Sequence, residues 1–344
     1  MTRISLVGKT LEELKTIVSG LGMPAFTARQ IAEWLYQKRV FNIDEMTNIS
    51  LKNKALLNEQ YIVGRTLPVQ AVASEDGTVK YLFHTEGGHF VETVYLPEED
   101  RATLCVSSQV GCKMGCLFCM TGKQGFVAQL TTAEILNQVL SIPEAEKLSN
   151  IVFMGMGEPF DNTLAMLRAL EILTADYGYA WSPRRITVSS IGIIPAMKIF
   201  LEKSGCHLAI SLHSPFAQER LQLMPIEKAY PLSKILDELR KHDFSKQRRV
   251  SFEYILFDGL NDSMRHAVEL VRILKGIDCR VNLIRFHAIP GVDLKSSNPD
   301  KMTFFRDYLN DNGVTATIRR SRGEDIFAAC GMLSTLEKEK KEAE

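Results

Sequence analysis

The residues whose type and spacing could do chemistry begin with Cys112, Cys116 and Cys119, in the run CKMGCLFC. Their C-x3-C-x2-C spacing puts three thiols in one short loop. Thiolate is a soft ligand that suits zinc or iron–sulfur centres. A structural zinc site usually takes four ligands, often as two pairs, and here the local set stops at three. Three thiolates on a four-iron cluster leave one iron open to a small molecule, so the iron–sulfur reading is preferred and zinc stays open as the alternative. Gly111 and Gly115 allow tight backbone approach around such a group. Phe118 could shield one face of it, or simply pack.

These residues need a scaffold, and the sequence supplies a repeating one. From Thr103 onward, strand-like runs (TLCVSSQ, NIVFMGMGE, RITVSS, CHLAISLHS, RVSFEYILF, VNLIRFHAI) alternate with helix-like segments such as TTAEILNQVLSI, PLSKILDELRKHD and SMRHAVELVRILKG. MTFFRDYLNDNG follows the sixth strand, and VTATIRRSRG is a candidate final one. Alternating β and α elements imply a parallel sheet with right-handed crossovers. Six units suggest an α/β fold of partial (β/α)6 barrel type, with a doubly wound open sheet as the competing architecture. In barrels the functional residues sit at the carboxyl ends of the strands. The thiol loop follows the first strand. Gly155, Gly157 and Glu158 end the second, as a tight turn or as groups meeting a ligand ammonium. Ser189 ends the third, Ser211, Leu212 and His213 the fourth, and His287 the sixth. Each alone fits an ordinary turn residue; together they put polar groups on one rim.

The first 60 or so residues read as a small helical unit. LEELKTIVSGLG is a short helix ending at a glycine, and FTARQIAEWLYQKRV places Ile31, Trp34 and Leu35 at helical spacing. Arg29, Lys38, Arg39, Lys52 and Lys54 are expected on its outside, as a solvated face or an RNA-contacting one. From Leu67 to Pro97 the pattern alternates, with turn signals at Asp76-Gly77 and Gly87-Gly88. The expected division is a helical accessory domain over 1–62, a short β linker over 63–102, the barrel over 103–335 and a charged tail over 336–344.

Lys+Arg and Asp+Glu both number 41 among 344 residues. A neutral total neither favours nor excludes a nucleic-acid partner, because local clustering of basic groups decides that. No apolar run approaches a membrane span, so a cytoplasmic protein is expected. There, seven cysteines point to metal or chemistry rather than structural disulfides.

The cysteine triplet with an aromatic before its last member resembles the radical S-adenosylmethionine superfamily. Further segments, in order, are FTARQIAEWLY, VETVYLPEEDRATLCVSSQVGC, FMGMGEP, SPRRITVSS, LAISLHSP, LMPIEKAYPL and RGEDIFAACG. From about residue 20 to residue 335 they resemble one branch, the adenine-C2 methyltransferases of 23S rRNA and tRNA, whose close relatives methylate adenine C8. The resemblance implies a radical S-adenosylmethionine barrel, a [4Fe–4S] cluster on Cys112, Cys116 and Cys119, and two S-adenosylmethionine molecules per turnover. It makes Cys330 the thiol that is itself methylated, Cys105 the second catalytic cysteine and Glu92 a proton acceptor. Gly157, Glu158, Ser189, Ser211, Leu212, His213 and His287 become S-adenosylmethionine contacts; many members carry Asn where this chain has His287, and a ring nitrogen can replace an amide as a hydrogen-bond partner.

The chemistry implied has two stages. Adenine C2 is electron-poor and cannot attack a sulfonium methyl, so Cys330 first takes a methyl by displacement. Cluster-driven cleavage of a second S-adenosylmethionine then activates that S-methyl group for addition to the ring. After Glu92 removes the ring proton, Cys105 attacks the Cys330 sulfur, and a disulfide releases the product. The partners implied are 23S rRNA and tRNA, an electron donor such as flavodoxin and a thiol reductant, with a monomeric protein. Arg184, Arg185, Arg248, Arg249, Arg319, Arg320 and Arg322 are candidate contacts to the RNA backbone. Cys206 and Cys279 match nothing catalytic and are expected to be small buried hydrophobes. Two alternatives remain: the C8-methylating relative, and a zinc-stabilised RNA-binding module without catalysis.

Overall fold

The computed structural model describes residues 3–244 and 249–335. The chain opens with β1 (Ile4–Ser5), α1 (Leu11–Gly20), α2 (Thr27–Ala32), α3 (Leu51–Gln60) and β2 (Tyr61–Ile62), and β1 pairs in parallel with β2. A capping box starts α1: Glu13 N–H donates to the Thr10 hydroxyl, and Thr10 N–H donates to the Glu13 carboxylate. The helix expected over FTARQIAEWLYQ does not stay α. After Ala32 it widens into a π turn over Glu33–Gln37, burying Leu35 and Tyr36. The basic side chains divide. Lys52 is exposed, whereas Lys54 turns inward, 9 % exposed, and donates to Asp44 O at 2.7 Å. Arg29 pairs with Asp176 at 3.1 Å, the Lys38 ammonium lies 3.6 Å over the Trp34 ring, and Arg39 is half-buried against Tyr179.

Strands β3 (Gln70–Ala73), β4 (Val79–His84) and β5 (Phe90–Pro97) are antiparallel and turn at the two glycine sites, with Gly77 and Gly88 in the left-handed region. They extend the large sheet. β5 pairs with β6 (Ala102–Cys105), placing Val94 opposite Cys105.

The run TLCVSSQ is not one strand. It leaves the sheet after Cys105 and re-forms as β7 (Gln109–Gly111), which pairs with β8 (Phe126–Gln129) across the thiol loop and α4 (Met120–Gln124). The repeat then runs α5 (Thr132–Leu140), β9 (Asn150–Phe153), α6 (Thr163–Thr174), β10 (Ile186–Ser190), α7 (Ile194–Lys203), β11 (His207–Ser211), α8 (Ala217–Leu223), α9 (Leu232–Leu239), β12 (Val250–Leu256), α10 (Met264–Leu274), β13 (Cys279–Arg285), α11 (Pro299–Asp311) and β14 (Thr315–Ile318). The order β6-β9-β10-β11-β12-β13-β14 is consecutive and all parallel. A doubly wound sheet would reverse its order partway; this one does not, as a partial barrel requires.

The two-residue period of each strand sorts the side chains. Leu104, Ile151, Val188, Ile210, Phe252 and Leu283 are at most 0 % exposed and pack outward under the helices. Alternate positions face inward, and there the chain places Cys105, Thr187, His207, Glu253, Asn282 and Arg319 around a polar lumen.

Candidate active site

The lumen is a cavity of about 1010 Å³. Cys105 at the end of β6, Cys119 in the thiol loop, Gly155 after β9, His287 after β13 and Cys330 near the chain's end all line it. Cys105 and Cys330 are both free thiols, with Cys330 exposed. Burial pushes the Cys105 thiol up to about 12, and the Cys330 sulfur adds to that rise. Two cysteines far apart in sequence thus meet in one cavity, next to a third that belongs to the C-x3-C-x2-C triplet.

The thiol loop is shaped by glycine. Gly111 has φ +69, and a Cβ there would lie 1.7 Å from Gly125 O. Cys112 N–H donates to Gly125 O at 3.0 Å, and Cys119 N–H to Cys116 O at 3.2 Å. The three cysteines stand in an apolar nest with Met114, Phe118, Met224 and Ile255. Phe118 presents an edge contact to His213, with ring centroids 4.7 Å apart. Burial pushes all three thiols up, Cys112 to about 12, and each is raised further by other thiols nearby. Three thiolates are held side by side only if a cationic group neutralises them. The donor set fits a [4Fe–4S] cluster: soft, three in number, in apolar surroundings. Among the described residues, no three His, Cys, Asp or Glu side chains converge to hold a single ion.

The segment carrying Cys330 straps over this loop. Met120 N–H donates to Gly331 O at 2.8 Å, and the Thr121 hydroxyl to Leu333 O at 2.7 Å. Ser334 N–H donates to Glu92 Oε2 at 3.1 Å. Glu92 is 3 % exposed on β5, and Lys80 Nζ on β4 lies 3.1 Å from its Oε1. Lys80 is its diagonal neighbour, since Leu82 pairs directly with Glu92. Glu92 does not line the cavity; it lies beneath the strap.

Of the other sequence-predicted residues, only His287 is on the cavity wall; among the described residues Gly157, Glu158, Ser189, Ser211, Leu212 and His213 occupy the strand ends outside it. Gly157 has φ +96, and a Cβ there would lie 2.5 Å from Gln109 Cβ, so close packing against β7 already requires a glycine. Glu158 accepts from Phe160 N–H at 2.9 Å and Ile191 N–H at 3.0 Å, tying the end of β9 to that of β10. Burial raises it to about 7, against the pull of those hydrogen bonds. Ser189 and Ser211 are half-buried on β10 and β11. Leu212 is 0 % exposed, so only its backbone is available to a ligand. His213 sits in the left-handed region at φ +56. Its Nδ1 accepts from Ile255 N–H at 3.0 Å, and burial, with Arg220 nearby, lowers it to about 3. His287 Nε2 lies 3.1 Å from Ser321 Oγ; its Nδ1 is 3.3 Å from Glu324 Oε1 but makes no hydrogen bond.

Of the basic candidates, Arg249, Arg319, Arg320 and Arg322 line the cavity. Arg184 and Arg185 are exposed outside it, and Arg248 lies outside the described residues. Arg319 already has partners within the protein: its Nη1 reaches Glu253 Oε2 at 3.4 Å and Met154 Sδ at 3.3 Å. Cys206 is 1 % exposed, as expected, but Cys279 is only half-buried at the start of β13.

Sequence reasoning passed over Arg220, Lys80 and Glu253. Arg220 is 0 % exposed and pairs with Glu227. It also donates to the carbonyls of Ile191, Ser211 and Leu212 at 3.1, 2.9 and 3.1 Å. It therefore fixes the backbone of two strand ends on the rim. A lone arginine between two motif segments gave no signal of this; only burial reveals it.

Known proteins resemble this chain throughout. Residues 106–271 match the family model described as the radical SAM superfamily, and residues 4–63 match the ribosomal RNA large subunit methyltransferase N-terminal domain. A probable dual-specificity RNA methyltransferase RlmN of Bacteroides fragilis is 61% identical over 339 residues, 98% of each chain. One of Phocaeicola vulgatus is 62% identical, over 98% of this chain and 97% of the other. A dual-specificity RNA methyltransferase RlmN of Syntrophus aciditrophicus is 42% identical, over 97% of each. The crystal structure of a radical SAM methyltransferase from Sphaerobacter thermophilus superposes with a TM-score of 0.90 at 39% identity, over 96% of this chain and 98% of that one.

Proposed function

The chain belongs to the dual-specificity RNA methyltransferases of the radical S-adenosylmethionine superfamily, and we propose that it methylates C2 of a target adenine in 23S rRNA and in tRNA by way of Cys330. The observation that carries this reading is the shared cavity of Cys105, Cys119 and Cys330. An RNA-binding module has no use for two extra thiols beside a metal-binding triplet.

Cys112, Cys116 and Cys119 would hold the [4Fe–4S] cluster, which supplies the electron for reductive cleavage of S-adenosylmethionine. The chain's own residues do the rest. Cys330, exposed on its strap, reaches a sulfonium methyl as a thiolate and becomes an S-methyl thioether. That methyl carbon would give up one hydrogen atom to the 5′-deoxyadenosyl fragment of a second S-adenosylmethionine, add to the adenine ring and link protein to RNA, the surplus electron of the adduct returning to the cluster. Glu92 takes the ring proton. In this reading its carboxylate is freed when the strap moves, because Ser334 N–H occupies Oε2. Cys105 then attacks the Cys330 sulfur: the bond from that sulfur to the transferred carbon breaks, the released carbon takes up a proton to become the C2 methyl group, and the disulfide formed must be reopened by a thiol reductant. The target base enters the lumen by leaving its stack. Arg220 keeps the carbonyls of Ser211 and Leu212 pinned, so the rim backbone meets its ligand in a fixed geometry. Gly157, Glu158, Ser189, His213 and His287 complete the S-adenosylmethionine contacts.

The same reading divides the chain into an RNA-binding accessory unit over 1–62, a β linker over 63–102 and the catalytic barrel over 103–335. It takes the protein to be a cytoplasmic monomer served by a flavodoxin-like donor. Among the described residues no helix is long and apolar enough to cross a membrane.

The test is anaerobic incubation of reconstituted protein with 23S rRNA and tRNA transcripts, S-adenosylmethionine and reductant, followed by nucleoside mass spectrometry. 2-Methyladenosine is expected in both RNAs. 8-Methyladenosine, or methylation of another base, would overturn the assignment.

A further inference from the structure

Glu253 is a buried carboxylate in the cavity that no step above employs. It lies on β12, 4 % exposed, and faces the lumen. Burying a carboxylate is costly unless its acceptor sites are filled, and here they are filled unevenly. Oε1 accepts from Asn282 Nδ2 at 2.7 Å and from the Ser251 hydroxyl at 3.2 Å. Among the described residues Oε2 has only Arg319 Nη1, at 3.4 Å. Asn282 is itself oriented, because its Oδ1 accepts from the Thr317 hydroxyl at 3.1 Å. A carboxylate offers about four lone-pair sites, so Oε2 keeps acceptor capacity on the side of the lumen.

The other carboxylates of the cavity wall, Glu98, Glu99 and Asp100, are exposed on the turn between β5 and β6, and Glu98 is engaged by Arg101 at 2.9 Å. Among the described residues, Glu253 is the wall carboxylate at depth. Arg319 ties it to the chemistry: the same guanidinium touches Met154 Sδ and lines the cavity together with Cys105 and Cys330.

A base that leaves its stack is read along its hydrogen-bonding edge. Adenine carries an amino group at position 6, a donor; guanine and hypoxanthine carry a carbonyl there, an acceptor. A fixed carboxylate accepts from the first and repels the second. We propose that Glu253 selects adenine by accepting its 6-amino N–H at Oε2, with Asn282 and Arg319 as the positioning residues that hold the carboxylate. The assignment rests on adenine being the methylated base.

The test uses RNA substrates carrying adenosine, inosine or purine ribonucleoside at the target position, with kcat/KM measured for each. Wild-type enzyme should prefer adenosine over inosine by about 100-fold or more, because a site built for a donor rejects an acceptor. Glu253→Gln can turn an N–H toward a 6-carbonyl, so its adenosine-to-inosine ratio should shrink at least about tenfold. Glu253→Asp should retain the preference at a lower rate. Methylation of Cys330, read by mass spectrometry, reports whether each variant is folded. Should Glu253→Gln lose that signal, Asn282→Ser, which unties the carboxylate, should narrow the ratio instead. An unchanged adenosine-to-inosine ratio in a variant that still methylates Cys330 overturns the proposal. A wild-type enzyme that methylates no adenosine at all overturns the adenine reading itself, which is a different result.

Discussion

Ser334 N–H is bonded to Glu92 Oε2 at 3.1 Å, so the segment that presents Cys330 is latched onto the carboxylate proposed to remove the ring proton. Nucleophile and base are thereby coupled through one strap. With the strap in this position Glu92 is covered, so the proposed role of the carboxylate requires the strap to lift first.

The two cysteines should separate cleanly by mutation. Cys330→Ala removes the methyl carrier, and no protein–RNA adduct should form. Cys105→Ala removes only the resolving thiol, and the adduct should accumulate. Denaturing gels with labelled RNA distinguish these outcomes. A Cys330→Ala enzyme with normal turnover would reject the assignment.

Lys80 faces Glu92 Oε1 at 3.1 Å, and both are largely buried. Lys80→Met should destabilise the protein by about 2 kcal/mol, the usual cost of leaving a charged hydrogen-bonding partner unpaired. Urea denaturation measures it. In a Glu92→Gln background the same substitution should cost much less, and equal costs in both backgrounds would show that the pair is not coupled.

His213 gives the folding equilibrium an acid limb. Its folded-state value of about 3 lies below the ordinary 6.5 because of burial and the Arg220 charge. The unfolded chain therefore binds the proton first. This contribution is fully present above about pH 6.5 and shrinks as pH falls from there toward 3. The expected slope is about 1.4 kcal/mol per pH unit through pH 5–6. His213→Asn tolerates the left-handed backbone and should flatten that slope; denaturation curves at pH 5, 6 and 7.5 compare the two. Parallel slopes would count against it.

At Gly111 a methyl group would meet Gly125 O at 1.7 Å, with φ already at +69. Gly111→Ala should therefore open the β7–β8 turn that frames the thiol loop. Iron and acid-labile sulfide per chain should fall well below wild type after anaerobic reconstitution, while Gly88→Ala, strained in φ but with nothing near its Cβ, should load normally. Full iron loading of Gly111→Ala would refute the packing argument.

The sequence by itself determined the repeat and the chemistry. A two-residue period alternating with a helical one leads to a consecutive parallel sheet, and β6 with β9 through β14 follows it. Three thiols in eight positions announce a metal group because the ligands are local; nothing distant is needed to see them. The tertiary structure alone decided what lies across the lumen. Arg319, read in sequence as a phosphate contact, bonds Glu253 and Met154, because inward-facing positions of separate strands meet only when the sheet curls. Glu92 looked like a group facing substrate, yet a segment more than two hundred residues later in the chain covers it. Arg220 carried no signal in the sequence, yet it is the buried clamp of the rim. Local spacing records which groups share a loop or a strand face; which faces meet, and which charges lose their water, depends on packing between elements that the sequence leaves far apart.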